Sequence, residues 1–230
     1  MRKLGLIGGT SWHSSIEYYS SINQSINDHF GDNTNPPIVL YTLNQSQIHK
    51  YQKEDKWEEV AKMLTNAALD LEKAGAEAVM FCANTPHKVY DTVNDSINVP
   101  ILHIAEATAK SIISNGIKIV CFIGTRFTME ESYIIDKISR NGVEVLVPKK
   151  TSTIEELHRI IQEELTFGIS KDSSKEYVMS SLDKMISQGA KGVILGCTEF
   201  PLMIAKEDLS VPIFNTVKCH SEAAVKFILG

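Results

Sequence analysis

The chain is 230 residues long, 43% apolar and 22% charged, with a formal net charge of −5 at pH 7. Such a composition excludes collagen-like, mucin-like and disordered chains and supplies enough apolar mass for one large or two small α/β domains. Scattered rather than clustered Lys and Arg exclude a nucleic-acid partner, because phosphate affinity rests on grouped cations.

The opening Met1-Arg2-Lys3 is basic, but the apolar run behind it is too short for the core of a signal peptide and lacks a cleavage-type ending. No apolar stretch approaches the ~20 residues that span a bilayer. The expected location is the cytoplasm, with no membrane contact. In chain order, short apolar runs at 4–7, 38–43, 78–81, 117–123, 143–147 and 192–195 predict strands. A helix is expected from about Ser14, and in the segment 57–73 the residues Val60, Met63, Leu64, Ala67, Ala68 and Leu71 recur at helical spacing. Alternation of strand and helix predicts parallel sheets with right-handed crossovers.

The second half of the chain echoes the first in the same order, at offsets of 112 to 115 residues. Lys3 to Thr10 is answered by Lys118 to Thr125 with the closing Gly-Thr in register, Gly75 to Phe81 by Gly189 to Leu195, and Val99-Pro100-Ile101 by Val211-Pro212-Ile213. Three ordered echoes predict an α/β fold of two similar lobes, each an open parallel four-stranded sheet flanked by helices and related by internal duplication. The first lobe is expected to hold residues 1–98 and 210–230 and the second 99–209, with an active-site cleft between them. Ligands of parallel sheets bind outside the carboxyl ends of strands, so the functional residues are sought just after the strands.

After the strand at 78–81 comes Cys82-Ala83-Asn84-Thr85-Pro86-His87, and after that at 192–195 comes Gly196-Cys197-Thr198-Glu199-Phe200-Pro201. Small residues, a polar pair and then proline read as a tight turn opening a helix. Cys197 is therefore expected beside a helix N-terminus, with its pKa lowered. Sliding by 114 residues pairs Cys197 with Ala83 and Cys82 with Gly196. Cys82, like Cys121 and Cys219, reads as a buried thiol in a reducing compartment, since no C-x-x-C pair or regular framework is present.

The loop Gly8-Gly9-Thr10-Ser11 lies between a strand and a helix, where its N–H groups form a carboxylate cradle. It lacks the G-x-G-x-x-G fingerprint, so no dinucleotide is expected. Seven histidines show no ligand spacing, and no metal is expected. His87 and His220 read as local hydrogen-bonding residues or as cleft lining, and the absence of G-x-S-x-G disfavours a serine hydrolase.

Four stretches, Gly8-Gly9-Thr10-Ser11-Trp12, Asn84-Thr85-Pro86-His87-Lys88, Gly124-Thr125-Arg126-Phe127-Thr128 and Gly196-Cys197-Thr198-Glu199, resemble the aspartate/glutamate racemase family, in that order and over essentially the whole chain. The resemblance implies a cofactor-independent isomerase. In such an enzyme one thiolate removes the α-proton of an amino acid and an opposing thiol returns a proton to the other face. By resemblance Cys197 is one of these groups, and the other belongs at position 83. This chain has Ala83 there, whose methyl neither takes nor gives a proton.

Some relatives carry a hydroxyl residue at that position. The alternatives that stay open are Cys82 reaching in, a water or Thr85 relaying a proton, and an introduced substitution. Thr10 and Ser11, with Asn84, Thr85, Thr125 and Thr198, are the candidate carboxylate contacts, and the resemblance adds Gln52 from the loop after the second strand. Glu199 is expected to receive the substrate ammonium or to orient Cys197. The expected partner is a small-molecule amino acid, aspartate, glutamate or a relative, and the expected assembly is a homodimer. Two further readings are a one-cysteine lyase or decarboxylase and a catalytically silent amino-acid-binding protein.

Overall fold

The computed structural model describes residues 1–230. The chain runs β1 (Leu4–Gly8), α1 (Trp12–Phe30), β2 (Ile38–Thr42), α2 (Gln45–Lys53), α3 (Trp57–Lys73), β3 (Ala78–Phe81), α4 (Tyr90–Asn94), β4 (Ile101–Leu102) and α5 (Ile104–Ser114). It continues through β5 (Ile119–Gly124), α6 (Arg126–Glu130), α7 (Ser132–Ser139), β6 (Glu144–Leu146), α8 (Thr151–Glu163), α9 (Asp172–Ser187), β7 (Val193–Gly196), β8 (Ile213–Asn215) and α10 (Thr216–Leu229). Short 3-10 turns fill Thr85–Val89 and Phe200–Leu202.

The chain divides into two compact units, Met1–Ile104 with Val217–Gly230, and Ala105–Thr216. Each holds one parallel four-stranded sheet, ordered β2-β1-β3-β4 in the first and β6-β5-β7-β8 in the second. The expected boundaries at 98/99 and 209/210 therefore move to 104/105 and 216/217. The reason is strand pairing: Ile101 pairs with Val79 and Ile213 with Val193, so each fourth strand stays with its own third strand.

Sheet register exposes the duplication directly. Val79 pairs with Gly5 and Val193 with Cys121, while Met80 pairs with Leu6 and Ile194 with Phe122. β3 and β7 thus correspond at 114 residues (193 − 79) and β1 and β5 at 116 (121 − 5). The sequence echo that sets Gly9 against Gly124 is one residue out. Gly8 is the counterpart of Gly124, and Gly9 is an extra residue with φ +87°.

Strand alternation sorts the core of the first unit. Leu4, Leu6, Ala78, Met80 and Cys82 pack with Tyr18, Ile22 and Ile26 of α1 and with Val217, Ala224 and Ile228 of α10. Ile7, Val79, Phe81 and Ile101 belong to the opposite cluster, with Val60, Leu64, Ala67, Ala68 and Leu71 of α3. Burying each large aliphatic side chain there contributes roughly 1.5–3 kcal/mol, which is what holds α3 over the span its periodicity predicts. α1 starts at Trp12, ahead of Ser14, because Ser11 is extended and its side chain caps the Ser14 N–H at 3.4 Å. In the second unit α8 and α9 both pack on β5, burying Leu157, Ile160 and Ile161 from one helix and Val178, Leu182 and Met185 from the other. The buried Glu164 carboxylate ties the two together, accepting from Arg159 at 2.9 Å and from Ser174 at 2.7 Å.

Gly9 is where the backbone tolerates no side chain: its φ is positive and an added Cβ would run into the Leu43 backbone. Gly9→Ala is expected to cost at least about 2 kcal/mol, seen as a lower urea midpoint at unchanged slope. Gly31→Ala, at φ +71° with open space around it, carries only the conformational cost of about 1 kcal/mol.

Candidate active site

In each sheet the direction of winding reverses beside the central pair of strands, β1 with β3 and β5 with β7. The loops leaving the carboxyl ends of such a pair diverge and leave room for a ligand. In the first unit those loops are Gly9–Ser11 and Cys82–Thr85. Ser14 Oγ donates to Cys82 O at 2.6 Å, and Ser15 Oγ accepts from Gly9 N and donates to Ser11 O, both at 2.9 Å. The first turn of α1 thereby braces the Gly9–Ser11 loop and ties to the backbone of Cys82.

α2 lies along the same loop. Gln45 Oε1 accepts from Trp12 N at 3.3 Å and His49 Nε2 donates to Thr10 O at 2.9 Å. Gln52 is expected in a loop but occupies the last turn of α2, on the helix face that carries Gln45 and His49. Its Nε2 is buried with no hydrogen-bond partner. The sequence carries no signal for this helix because only Ile48 is buried along it, which leaves no apolar period to read.

Position 83 is defined largely by histidines. His87 Nδ1 donates to Ala83 O at 3.0 Å and to Asn84 O at 3.2 Å, while its Nε2 accepts from Ile104 N at 3.2 Å. These partners assign the neutral Nδ1–H tautomer. His87 packs on His103 at 4.4 Å between centroids and lies 5.9 Å from His220. His220 Nε2 donates to Leu102 O at 2.8 Å and its Nδ1 accepts from Tyr18 OH at 2.9 Å. Both His87 and His220 are local hydrogen-bonding residues, one of the two sequence readings. Their grouping is illegible in the sequence because His103 and His220 stand 117 residues apart (220 − 103).

The Cys82 side chain lies in the core of the first unit. It is 2% exposed and packed among Leu6, Met80 and Tyr18, where burial alone pushes its thiol pKa far up. Its counterpart in the second unit is Gly196, where an added Cβ would strike the Phe122 ring. Phe122 is in turn the counterpart of Leu6. Leu6 with Cys82 fills in one unit what Phe122 over a glycine fills in the other, so the sulfur is a packing atom.

In the second unit Cys197 and Thr198 leave β7 beside Thr125, which follows Gly124 on β5. Thr125 Oγ1 lies 3.3 Å from Thr128 Oγ1. Cys197 is 8% exposed and its thiol donates to Glu199 Oε2 at 2.9 Å; the same oxygen accepts from Thr198 Oγ1 at 2.7 Å. The expected lowering of the Cys197 pKa does not occur. Burial pushes it well above the usual thiol value, the Glu199 carboxylate pushes it further, and the Glu199 and Thr198 N–H groups offset only part. The chain beyond Cys197 forms a three-residue 3-10 turn rather than an α-helix, so little dipole is present there.

Each of the two parallel sheets sends a polar turn from its central pair of strands, and the turn of the second holds a buried thiol–carboxylate contact, in a duplicated two-unit α/β protein. Over residues 7–224 the chain matches the model of the Asp/Glu/hydantoin racemase family. It is 26% identical to the broad specificity amino-acid racemase RacX of Bacillus subtilis, over 75% of this chain and 74% of the relative. Among solved structures, a candidate Asp/Glu racemase from Yersinia pestis is 39% identical with a TM-score of 0.94, and an aspartate racemase homologue from Pyrococcus horikoshii OT3 is 38% identical at 0.87, each with 100% of both chains covered. The aspartate racemase of Picrophilus torridus shares the fold, at 17% identity, a TM-score of 0.77 and coverage of 99% of this chain and 94% of that one. The chain belongs to the Asp/Glu/hydantoin racemase family, a family of isomerases. No helix is long and apolar enough to cross a membrane.

The buried histidines predict acid sensitivity. Burial holds His220 at about 4 and His87 well below its usual value, so both stay neutral in the fold while the unfolded chain protonates near 6.5. Stability is therefore fully present above about pH 6.5 and falls as pH drops toward 4, by about 3 kcal/mol for His220 alone. Urea midpoints measured from pH 7 to 4.5 should show this slope, and His220→Gln should flatten it.

Proposed function

We propose that the protein is a cofactor-independent amino-acid racemase or epimerase acting on aspartate, glutamate or a related amino acid, with Cys197 moving the α-proton. The observation that carries this reading is a thiol at the carboxyl end of a central parallel strand, hydrogen-bonded to a carboxylate at 2.9 Å, in a chain of a racemase family. Thr10, Ser11, Asn84 and Thr85 are proposed as substrate contacts at the strand ends of the first unit, and Thr125, Thr198 and Glu199 as those at the strand ends of the second. Gln52 joins them, supported by its buried and unpartnered Nε2, a donor suited to a substrate carboxylate.

Four free cysteines support a reducing, cytoplasmic setting. Exposed Trp12, Ile16 and Tyr19 along one face of α1, with Leu40 and Tyr41 on the edge strand β2, support a homodimer. A second reading is favoured by the methyl at Ala83 and by Cys82 being packed in the core. With no titratable side chain at position 83, proton transfer runs from the Cys197 face alone, as in a one-cysteine lyase or decarboxylase.

Incubation with L- and D-aspartate and glutamate in D2O separates these. Deuterium entering together with the opposite enantiomer supports racemisation; deuterium with retained configuration refutes it and supports one-face chemistry. No exchange with these four substrates contradicts racemisation of aspartate and glutamate and favours a binding protein or another substrate. Cys197→Ala is expected to lower exchange by about 100-fold or more, and Ala83→Cys to raise the share of inversion.

A further inference from the structure

We propose that His87 is a positioning residue of the active site: held as the neutral Nδ1–H tautomer, it clamps the carbonyls of Ala83 and Asn84 to the backbone of Ile104 and so fixes where Asn84 and Thr85 meet an amino acid. The proposal rests on Asn84 and Thr85 as substrate contacts.

The ring is bonded at both nitrogens. Its Nδ1–H is shared between Ala83 O at 3.0 Å and Asn84 O at 3.2 Å, and Nε2 accepts from Ile104 N at 3.2 Å. An imidazole is rigid, so a ring held at both nitrogens is a spacer of fixed length between two stretches of backbone. His87 is 1% exposed, with Phe81 at 5.1 Å and His103 at 4.4 Å between ring centroids. A bond lost at either nitrogen is therefore not made good by solvent.

The second unit shows that the fold itself does not need this clamp. Pairing of β3 with β4 ends at Met80 and Leu102, whereas β7 and β8 run one pair further, to Leu195 and Asn215. Just beyond that pair the Thr216 hydroxyl donates to Leu195 O at 3.0 Å. β4 and β8 correspond at 112 residues (213 − 101), which makes Thr216 the counterpart of Ile104. At the offset of 114 that relates β3 to β7, the counterpart of His87 is Pro201, which is exposed and offers no side-chain donor or acceptor.

One sheet thus ends in backbone pairing and a hydroxyl, while the other stops its pairing early and inserts an imidazole. What the imidazole adds is a fixed attachment for the carbonyls of residues 83 and 84. With Ala83 in place of an ionisable side chain, the part left to the first turn is to hold the substrate, and holding depends on where its backbone stands.

Two amide substitutions separate the ends of the clamp. In His87→Asn the amide nitrogen takes the place of Nδ1 and still donates to the turn, while the bond to Ile104 is lost. In His87→Gln the amide oxygen takes the place of Nε2 and still accepts from Ile104 N, while the turn loses its donor. Each variant leaves a buried polar group unsatisfied and should lower the urea midpoint. Initial rates of α-deuteration in D2O, measured against the concentration of whichever of aspartate or glutamate the native protein exchanges faster, give KM and kcat. His87→Gln should raise KM by about tenfold or more with kcat within a few fold, because contacts that hold substrate and transition state alike act on KM. His87→Asn should keep KM within a few fold of native.

Activity losses that follow the urea midpoints, whichever end of the clamp is cut, mark a merely structural residue and overturn the proposal. So does a fall in kcat at unchanged KM, or an equal rise of KM in both variants. Should His87→Gln fail to fold, His87→Asn decides alone, and a rise of its KM beyond a few fold is contrary to the proposal. Long-range proton–nitrogen correlation spectra of the native protein, with the His87 signals assigned by their loss in His87→Asn, should show a protonated Nδ1 and an unprotonated Nε2 at neutral pH. The other tautomer, or averaged signals, contradicts the clamp without reference to activity. If the native protein exchanges neither amino acid, the reading of Asn84 and Thr85 as substrate contacts fails and the proposal falls with it, and the spectra tell that failure from a failure of the clamp.

Discussion

Parallel pairing of the central strands is the constraint on which the rest depends. Because Ile7 sits level with Phe81 and Gly124 level with Gly196, the chain leaves the sheet at matched heights in both units, and polar turns emerge at the same edge of each sheet. Backbone pairing, not side-chain chemistry, sets those exit points. Alternation then decides which residue after the strand turns toward the core and which toward the loop. Cys82 falls on the core side and Ala83 on the other, and the same arithmetic puts Gly196 and Cys197 in those two roles.

From one duplicated frame the two turns have diverged in kind. The first is held by neutral histidines: His87 pins the carbonyls of residues 83 and 84 while His220 pins Leu102. It supplies backbone order and amide or hydroxyl donors, and no titratable side chain at position 83. The second keeps the ionisable pair, with Glu199 folded back on Cys197. An acid–base group works when its protonation is coupled to a nearby partner, and only the second turn provides that coupling at its first position beyond the strand.

Much of this architecture is legible in the sequence. The span of α3 follows from six apolar residues at helical spacing, and the duplication from ordered echoes that include the two-residue strand Ile101–Leu102, too short for any periodicity of its own. Ala83 pairs with Cys197 in the sequence alone, because a parallel register keeps the offset at 114 across β3 and β7. Other features depend on three-dimensional detail that local sequence does not encode. The raised pKa of Cys197 follows from burial and from a side chain two residues on folding back, where a turn followed by proline suggests a helix dipole. The unit boundaries shift because Val-Pro-Ile opens the last strand of each sheet rather than the first segment of the next unit. Gln52 sits on a helix with one buried residue, whose polar face is matched to the Thr10 loop by hydrogen bonds instead of by apolar burial.

The Cys197–Glu199 hydrogen bond requires that the resting Cys197 be a neutral thiol whose proton points at Glu199. Infrared difference spectra between the native protein and Cys197→Ser at neutral pH, in the S–H stretching region, address this directly. One S–H band should be lost in the variant, displaced to low frequency by a strong acceptor and shifted on deuteration. A native spectrum with no S–H band assignable to Cys197, the signature of a resting thiolate, would contradict it.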